Sequence, residues 1–248
     1  MLYTSTVRPS AILTFHSLDP SGSVISVAPE LFRRQMEWLA SSAIPVVPLS
    51  RIRDSPGAVA LTFDDGFRSF ATAALPVLLE HRLPATVFVV SGYCGRFNEW
   101  GTRGRSVPRL ELMDWSEIRQ AASASVEIGA HGVSHRNLAR LDPEQVLAEL
   151  RTCREVLEDK TGASVRAFAY PYGASAPAVR EMAAREFPIC CGTRLDFVTA
   201  QSDRADLPRL DAYYLRNWFW YRRLMRPAGR AYLAVRRWLR SLNCDGWY

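Results

Sequence analysis

The sequence predicts an α/β fold, a parallel barrel followed by a distinct C-terminal tail, on three observations. The first is length: 248 residues suit one large domain, the size at which closed α/β barrels are common. The second is alternation, because short apolar, β-branched or aromatic runs take turns with amphipathic segments of helical length, the pattern of parallel strands and crossover helices. The third is that residues able to do chemistry stand directly after several of those runs, and a parallel barrel gathers the C-terminal ends of its strands onto one face.

In chain order, strands are expected over residues 11–16 (AILTFH), 44–48, 59–63 (VALTF), 85–91, 126–130, 166–170 and 187–191, with a weaker one over 207–210. Helices are expected between them over residues 29–42, 69–82, 114–124, 142–161 and 176–186. Two helix starts carry their own chemistry. Asp114 has Glu117 three residues on, a capping box, and Asp142 is followed by Pro143 at the first helical position with Gln145 beyond it. The Gly- and Arg-rich stretch 92–108 reads as a long loop at the mouth of a site.

Composition excludes several classes. With 48% apolar and 23% charged residues and no apolar run near the roughly 18 residues of a membrane span, the chain is expected to be soluble and globular. MLYTSTVRPSAILTFH lacks the apolar stretch of a secretory signal, so the expected address is cytoplasmic. Five cysteines, Cys94, Cys153, Cys190, Cys191 and Cys244, form no CxxC pair and suit reduced, mostly buried thiols. The net charge of +6 sits in the tail: from Ala212 to Cys244 there are eight arginines and no acid, while the remainder is close to neutral. No basic core for nucleic acid is expected.

Five signals bear on chemistry. Thr62-Phe63-Asp64-Asp65-Gly66 ends a strand in two adjacent carboxylates, which repel one another unless a cation or a shared proton is present; Asp-Gly is also an ordinary turn. His131-Gly132-Val133-Ser134-His135 holds two of only four histidines. If that turn is helical they share a face, and with one carboxylate they make a three-ligand metal site, which suits zinc and also non-haem iron; the same spacing occurs on plain helix faces. Tyr170-Pro171-Tyr172-Gly173 can offer a ligand a backbone N–H and an aromatic wall, or can be a strand-ending turn with a packed tyrosine. His16 closes the first strand, and Arg209 sits in Leu-Pro-Arg; each alone reads as an ordinary loop or surface residue, but the barrel arrangement lets them meet Asp64, Asp65 and His131.

Taken together, in this order and at these separations, the motifs at Thr62–Gly66, His131–His135 and Tyr170–Gly173 resemble the polysaccharide deacetylases, the NodB-homology domain of carbohydrate esterase family four. The resemblance covers residues 12–210 and implies a distorted seven-stranded (β/α) barrel, TIM-like, over residues 1–211, with residues 212–248 as an added basic helical tail. It implies a divalent metal, zinc first with cobalt, nickel or iron as alternatives, held by Asp65, His131 and His135, with Asp64 as general base. Tyr172, with Pro171, Gly173 and Tyr170 around it, would serve substrate and oxyanion. Three departures stand out: Gly132 replaces a usual Ser or Thr, Ala169 replaces an arginine that steadies the base, and no histidine follows His135. Arg209 is the candidate replacement for that arginine. His16 is the candidate acid, because Phe15-His16 is similar to a strand end in the circularly permuted exopolysaccharide N-deacetylases.

The implied activity is removal of N-acetyl groups from a glycan by metal-activated water. The rival readings are a deformylase or ring amidase using the same site, and an idle glycan-binding domain. For the tail, residues 229–242 project Ala231, Val235, Trp238, Leu239 and Leu242 onto one helix side and Arg230, Arg236, Arg237 and Arg240 onto the other, with Leu233 the exception. Either that helix packs on the barrel with its arginines solvated, or it rests on an anionic membrane surface, on the inner face of the membrane, near a lipid-linked glycan. The oligomeric state is not readable from the chain.

Overall fold

A computed structural model describes residues 8–100 and 107–242. Seven strands form one all-parallel, curled sheet: β1 (Ala11–Phe15), β2 (Val59–Phe63), β3 (Ala85–Val89), β4 (Glu127–Ala130), β5 (Ala167–Ala169), β6 (Ile189–Cys191) and β7 (Leu210–Asp211). Their spatial order is β6-β5-β4-β3-β2-β1-β7. The edges β6 and β7 come close to meeting, since Leu207, three residues before β7, bridges Cys191 in parallel. The result is a distorted (β/α) half-barrel flanked by α1 (Pro29–Ser41), α2 (Leu75–Glu80), α3 (Trp115–Ser123), α4 (Pro143–Thr161) and α5 (Pro177–Glu186), with α6 (Trp218–Tyr221) and α7 (Pro227–Leu242) beyond it.

Strand periodicity decides what reaches the mouth. Along β1 and β2, Leu13, Phe15, Leu61 and Phe63 face the helices, and Phe15 stacks on Phe63 at 5.2 Å and edge-on to Phe32 of α1 at 5.3 Å. The alternate residues Ile12 and Ala60 fill the barrel with Phe88, and Thr14 and Thr62 share a hydrogen bond there at 3.2 Å. Two more residues along each strand, that same inward side holds His16 and Asp64. Gly129 on β4 makes room for Phe88, because a Cβ there would lie 2.4 Å from its ring.

The capped helices begin where their caps predict. Asp114 and Glu117 exchange both capping-box bonds, Asp142 accepts from the Gln145 N–H, and α4 ends at Gly162 with φ +69°. Three expectations are corrected. Residues 44–48 form no strand: Pro45 and Pro48 each remove a donor, and only Val46 bridges Val59 before a 3₁₀ turn, Leu49–Asp54. The weak strand at 207–210 shifts to Leu210–Asp211, because Pro208 interrupts the ladder after Leu207. The helix at 69–82 opens as a π turn, Phe70–Ala74, with the Leu75 N–H reaching Phe70 O; Pro76 has no N–H for the ordinary bond to residue 72.

The tail is the largest correction. Helix α7 does pack on the body, but its arginines are divided: Arg230 and Arg237 are exposed, while Arg236 and Arg240 are partly covered. Gly229 and Leu233 are buried, Arg240 donates to Thr193 O at 3.0 Å, Arg237 pairs with Asp196, and Arg236 lies over the Tyr214 ring at 5.1 Å. Val235, Trp238 and Leu242 face outward. Residues 101–106 of the expected loop, Cys244 and the end of the tail from 243 lie outside the described residues, as does the start of the N-terminal stretch.

Candidate functional site

Four strand ends and one incoming arginine build the site. Phe15 and Phe63 are register partners, so the residues after them are neighbours; the Asp64 N–H donates to Phe15 O at 2.9 Å, and His16 Nε2 lies 4.0 Å from Asp64 Oδ2. Asp65 cannot follow the alternation and point inward too. It takes a left-handed backbone at φ +70°, followed by Gly66 at φ +73°, and this turn brings the second carboxylate round to the same mouth.

The histidine turn reaches the same point by a different route. Val89 pairs with Ala130, which delivers His131 to the mouth, and its N–H donates to Val89 O at 3.0 Å. The turn after it is not helical, so the shared face of a helix is not what brings the two histidines together. Gly132 at φ +78° and His135 at φ +53° fold it back so that both rings converge, 4.9 Å apart. His135 Nε2 lies 3.1 Å and His131 Nε2 3.3 Å from Asp65 Oδ1, and the three ligand atoms lie within 4.8 Å of one another, all buried.

The donor set fits a divalent cation on its own chemistry. Two imidazole nitrogens and a carboxylate oxygen face one point, three ligands with room for further ones, as in an open catalytic site. The carbonyl of Ala169 lies 2.8 Å from His131 Nδ1, which fixes the ring with Nε2 turned to the mouth. Burial would raise Asp65, yet hydrogen bonds from His131 and His135 bring it well below the ordinary carboxylate value.

Asp64 is held separately. Arg209, the residue before β7, donates from Nη1 to Oδ1 and from Nη2 to Oδ2, both at 2.7 Å, and anchors its own Nε on Gly192 O at 2.8 Å. Burial would raise the Asp64 carboxyl, but the charge and hydrogen bonds of Arg209, together with the nearby His131 and His16 rings, outweigh it and hold the group below its ordinary value. Where the motif has Ala169 instead of an arginine, a distant arginine therefore reaches the same carboxylate.

The third motif divides. Tyr172 comes to the mouth, its ring 4.6 Å from His135, in a left-handed backbone at φ +59°. Pro171 is buried, and Gly173 lies against Thr193, whose Oγ1 would be 2.0 Å from a Cβ. Tyr170 is corrected to a core residue: its ring packs edge-on to Phe168 at 5.2 Å and its hydroxyl donates to Ala205 O at 2.6 Å. It has no side-chain contact left to offer a ligand.

Two participants were missed in the sequence. Buried Glu149 of α4 accepts the Val133 and Ser134 N–H groups at 2.7 and 3.0 Å and the Ser134 hydroxyl, fixing the turn between the histidines. Its signal was available, since it interrupts the apolar stripe Val146, Leu150, Cys153, Leu157. Trp100 lies 4.5 Å from the His135 ring and 5.2 Å from Tyr93; the segment leading to it is tied down by Asn98, which binds Pro108 O and the Leu110 N–H. A cleft of about 720 Å³ beside α7, lined by Arg180, Arg194 and Arg230, includes none of these groups, so converging chemistry rather than volume locates the site.

Comparison with known proteins settles the family. The profile of the polysaccharide deacetylases matches residues 51–186, more than half of the chain. The chain belongs to the polysaccharide deacetylase family. It is similar to the chitooligosaccharide deacetylase of Bradyrhizobium sp., 31% identical over 135 residues that make up 51% of this chain and 54% of that protein. It is also similar to the poly-beta-1,6-N-acetyl-D-glucosamine N-deacetylase of Escherichia coli K12, 23% identical over 81% of this chain and 35% of that protein. The chain spans about half the length of the curated relatives it matches first. In fold it is similar to the Streptococcus pyogenes deacetylase PplD, with a TM-score of 0.71 and 20% identity over 83% of this chain and 93% of that one. In a chain of this family, the buried Asp65, His131 and His135 are a cluster that could hold a metal ion.

Proposed function

We propose that the protein removes N-acetyl groups from an N-acetylhexosamine-containing glycan, with residues 1–211 as the catalytic unit. The observation that carries this reading is the pairing of two buried carboxylates with different partners: Asp65 faces two histidines, while neighbouring Asp64 is fixed on both oxygens by Arg209. The first arrangement suits a metal ligand and the second suits a base. The activities for which the relatives are named, on chitooligosaccharide and on poly-beta-1,6-N-acetyl-D-glucosamine, support this substrate class.

Asp65, His131 and His135 would hold the cation, zinc by preference. When bound, it supplies a Lewis acid that polarises the acyl carbonyl and acidifies water. Asp64, kept ionised by Arg209, accepts a proton from the attacking water. The Tyr172 backbone N–H is assigned to the developing oxyanion, a role for which a main-chain donor in a fixed, strained turn is suited. His16, 4.0 Å from Asp64, gives a proton to the leaving nitrogen as the C–N bond breaks. Water and amide become acetate and a free amine.

Acetate release from N-acetylglucosamine oligomers by metal-stripped protein tests the reading. Release should return with added zinc, cobalt or nickel and stay absent without. Metal uptake without acetate from any N-acetylated glycan would favour another C–N substrate, and glycan binding with neither metal nor turnover would favour the binding-domain reading.

A further inference from the structure

We propose that helix α7 and the turn before it form a seat for an anionic lipid bilayer. Helix α7 leaves most of its apolar side chains outward. The stripe Gly229, Leu233, Arg236, Arg240 lies against the barrel, and Gly229 fits only as glycine, since a Cβ would come 2.0 Å from Arg223 O. Two residues further along, about 200° round the helix, runs a second stripe that is exposed among the described residues. Val235, Trp238 and Leu242 are 54%, 60% and 60% exposed, and Leu239, beside them, is 39%. Because the arginines of the last turns are directed to Thr193 O, Asp196 and the Tyr214 ring, they do not screen this row.

The charge around the row selects the occupant. Exposed Arg222, Arg226 and Arg230 lie at the start of α7 and in the turn before it, and no acid occurs between Ala212 and Cys244. An apolar row with Trp at its centre and an arginine margin matches the headgroup and acyl boundary of an anionic membrane. Two copies of this chain meeting through the same row would instead bring like charges together. Exposed Phe219 extends the apolar surface: its ring meets Trp220, which stacks on Tyr232 of α7 at 4.4 Å.

The seat also adjoins the site. Arg240 holds the Thr193 carbonyl, and the Thr193 side chain abuts Gly173, next to Tyr172. A bilayer under α7 would therefore present the mouth to glycans at the membrane surface. This last step rests on the proposed deacetylase reading; the seat itself does not.

Vesicle flotation of the full chain tests the seat independently of turnover. The chain should float with vesicles of phosphatidylcholine and phosphatidylglycerol, remain in solution with phosphatidylcholine alone, and be released by high salt. The triple variant Val235→Ser, Trp238→Ser, Leu242→Ser, which alters only exposed side chains, should float at least about tenfold less while its acetate release from soluble oligomers stays at the wild-type level. Wild-type protein that stays in solution with anionic vesicles overturns the proposal, as does equal flotation of the variant. A wild-type dimer in light scattering that the variant converts to monomer also overturns it, by making a second copy the occupant.

Discussion

The mouth of the barrel and helix α7 bury charge in contrasting ways. At the mouth, Asp64, Asp65, His131 and Arg209 are all buried, each within bonding distance of a partner of opposite or complementary character, so that desolvation is offset by short, charge-assisted contacts. Along α7 the arginines are at most partly covered, three of them reaching a carbonyl, a half-buried aspartate and a ring, while most of the apolar residues are left outside. The first arrangement commits its charges to fixed geometry for chemistry. The second uses charge as a fastener and keeps hydrophobic surface available. Burial of ionic groups thus singles out the mouth, and its inverse, exposure of an apolar row, singles out the helix.

Four changes test this contrast, from the largest expected effect to the smallest. His16→Gln should lower turnover on N-acetyl glycans about a hundred- to ten-thousand-fold, the range for loss of a general acid, but should spare an aryl acetate whose leaving group needs no proton. Equal losses on both substrates in steady-state assays would remove His16 from the acid role. Arg209→Met leaves the Asp64 charge buried without its partner and should cost about 3–5 kcal/mol in chemical denaturation. A loss below about 1 kcal/mol would mean that the pair is not isolated from water.

On the helix, Leu233→Ala should cost about 2–5 kcal/mol, whereas Trp238→Ala, the larger truncation, should stay within about 0.5 kcal/mol in the same assay. The reverse order would mean that α7 sits with its apolar row inward. The smallest effect concerns the thiols. Burial pushes Cys153 up to about 11 and Cys190 and Cys191 up to about 12, so they are neutral when folded, and the stability they contribute is complete below about pH 8.5 and is lost as pH rises towards those values. Iodoacetamide at pH 8 should leave all three unlabelled in native protein and label them after denaturation, as mapped by mass spectrometry.

Much of this was legible in the sequence, for identifiable reasons. Strands such as AILTF and VALTF are fully buried and read as apolar runs, and their period of two carries His16 and Asp64 to the inner side of the mouth without further information. Caps at Asp114 and Asp142 are local and were read directly. What was not legible depends on contacts distant in sequence or on backbone handedness. The convergence of His131 and His135 comes from positive φ at Gly132 and His135, not from a helical turn, and is fixed by Glu149 from another element. Tyr170 and Tyr172 are two residues apart in one motif, yet one is core and the other faces the site, because the left-handed turn falls at Tyr172. For α7, periodicity established two faces but not which of them the body takes; Asp196, Thr193 and Tyr214, remote in the chain, decide it.

The central claim is the division of labour between adjacent carboxylates, and it is tested most directly by measuring bound zinc and acetate release side by side in wild type, Asp64→Asn and His131→Ala. Asp64→Asn should keep close to one zinc per chain while turnover falls at least about a hundredfold, and His131→Ala should lose both. Equal loss of zinc in the two variants would contradict the account, because Asp64 would then be a ligand rather than the base.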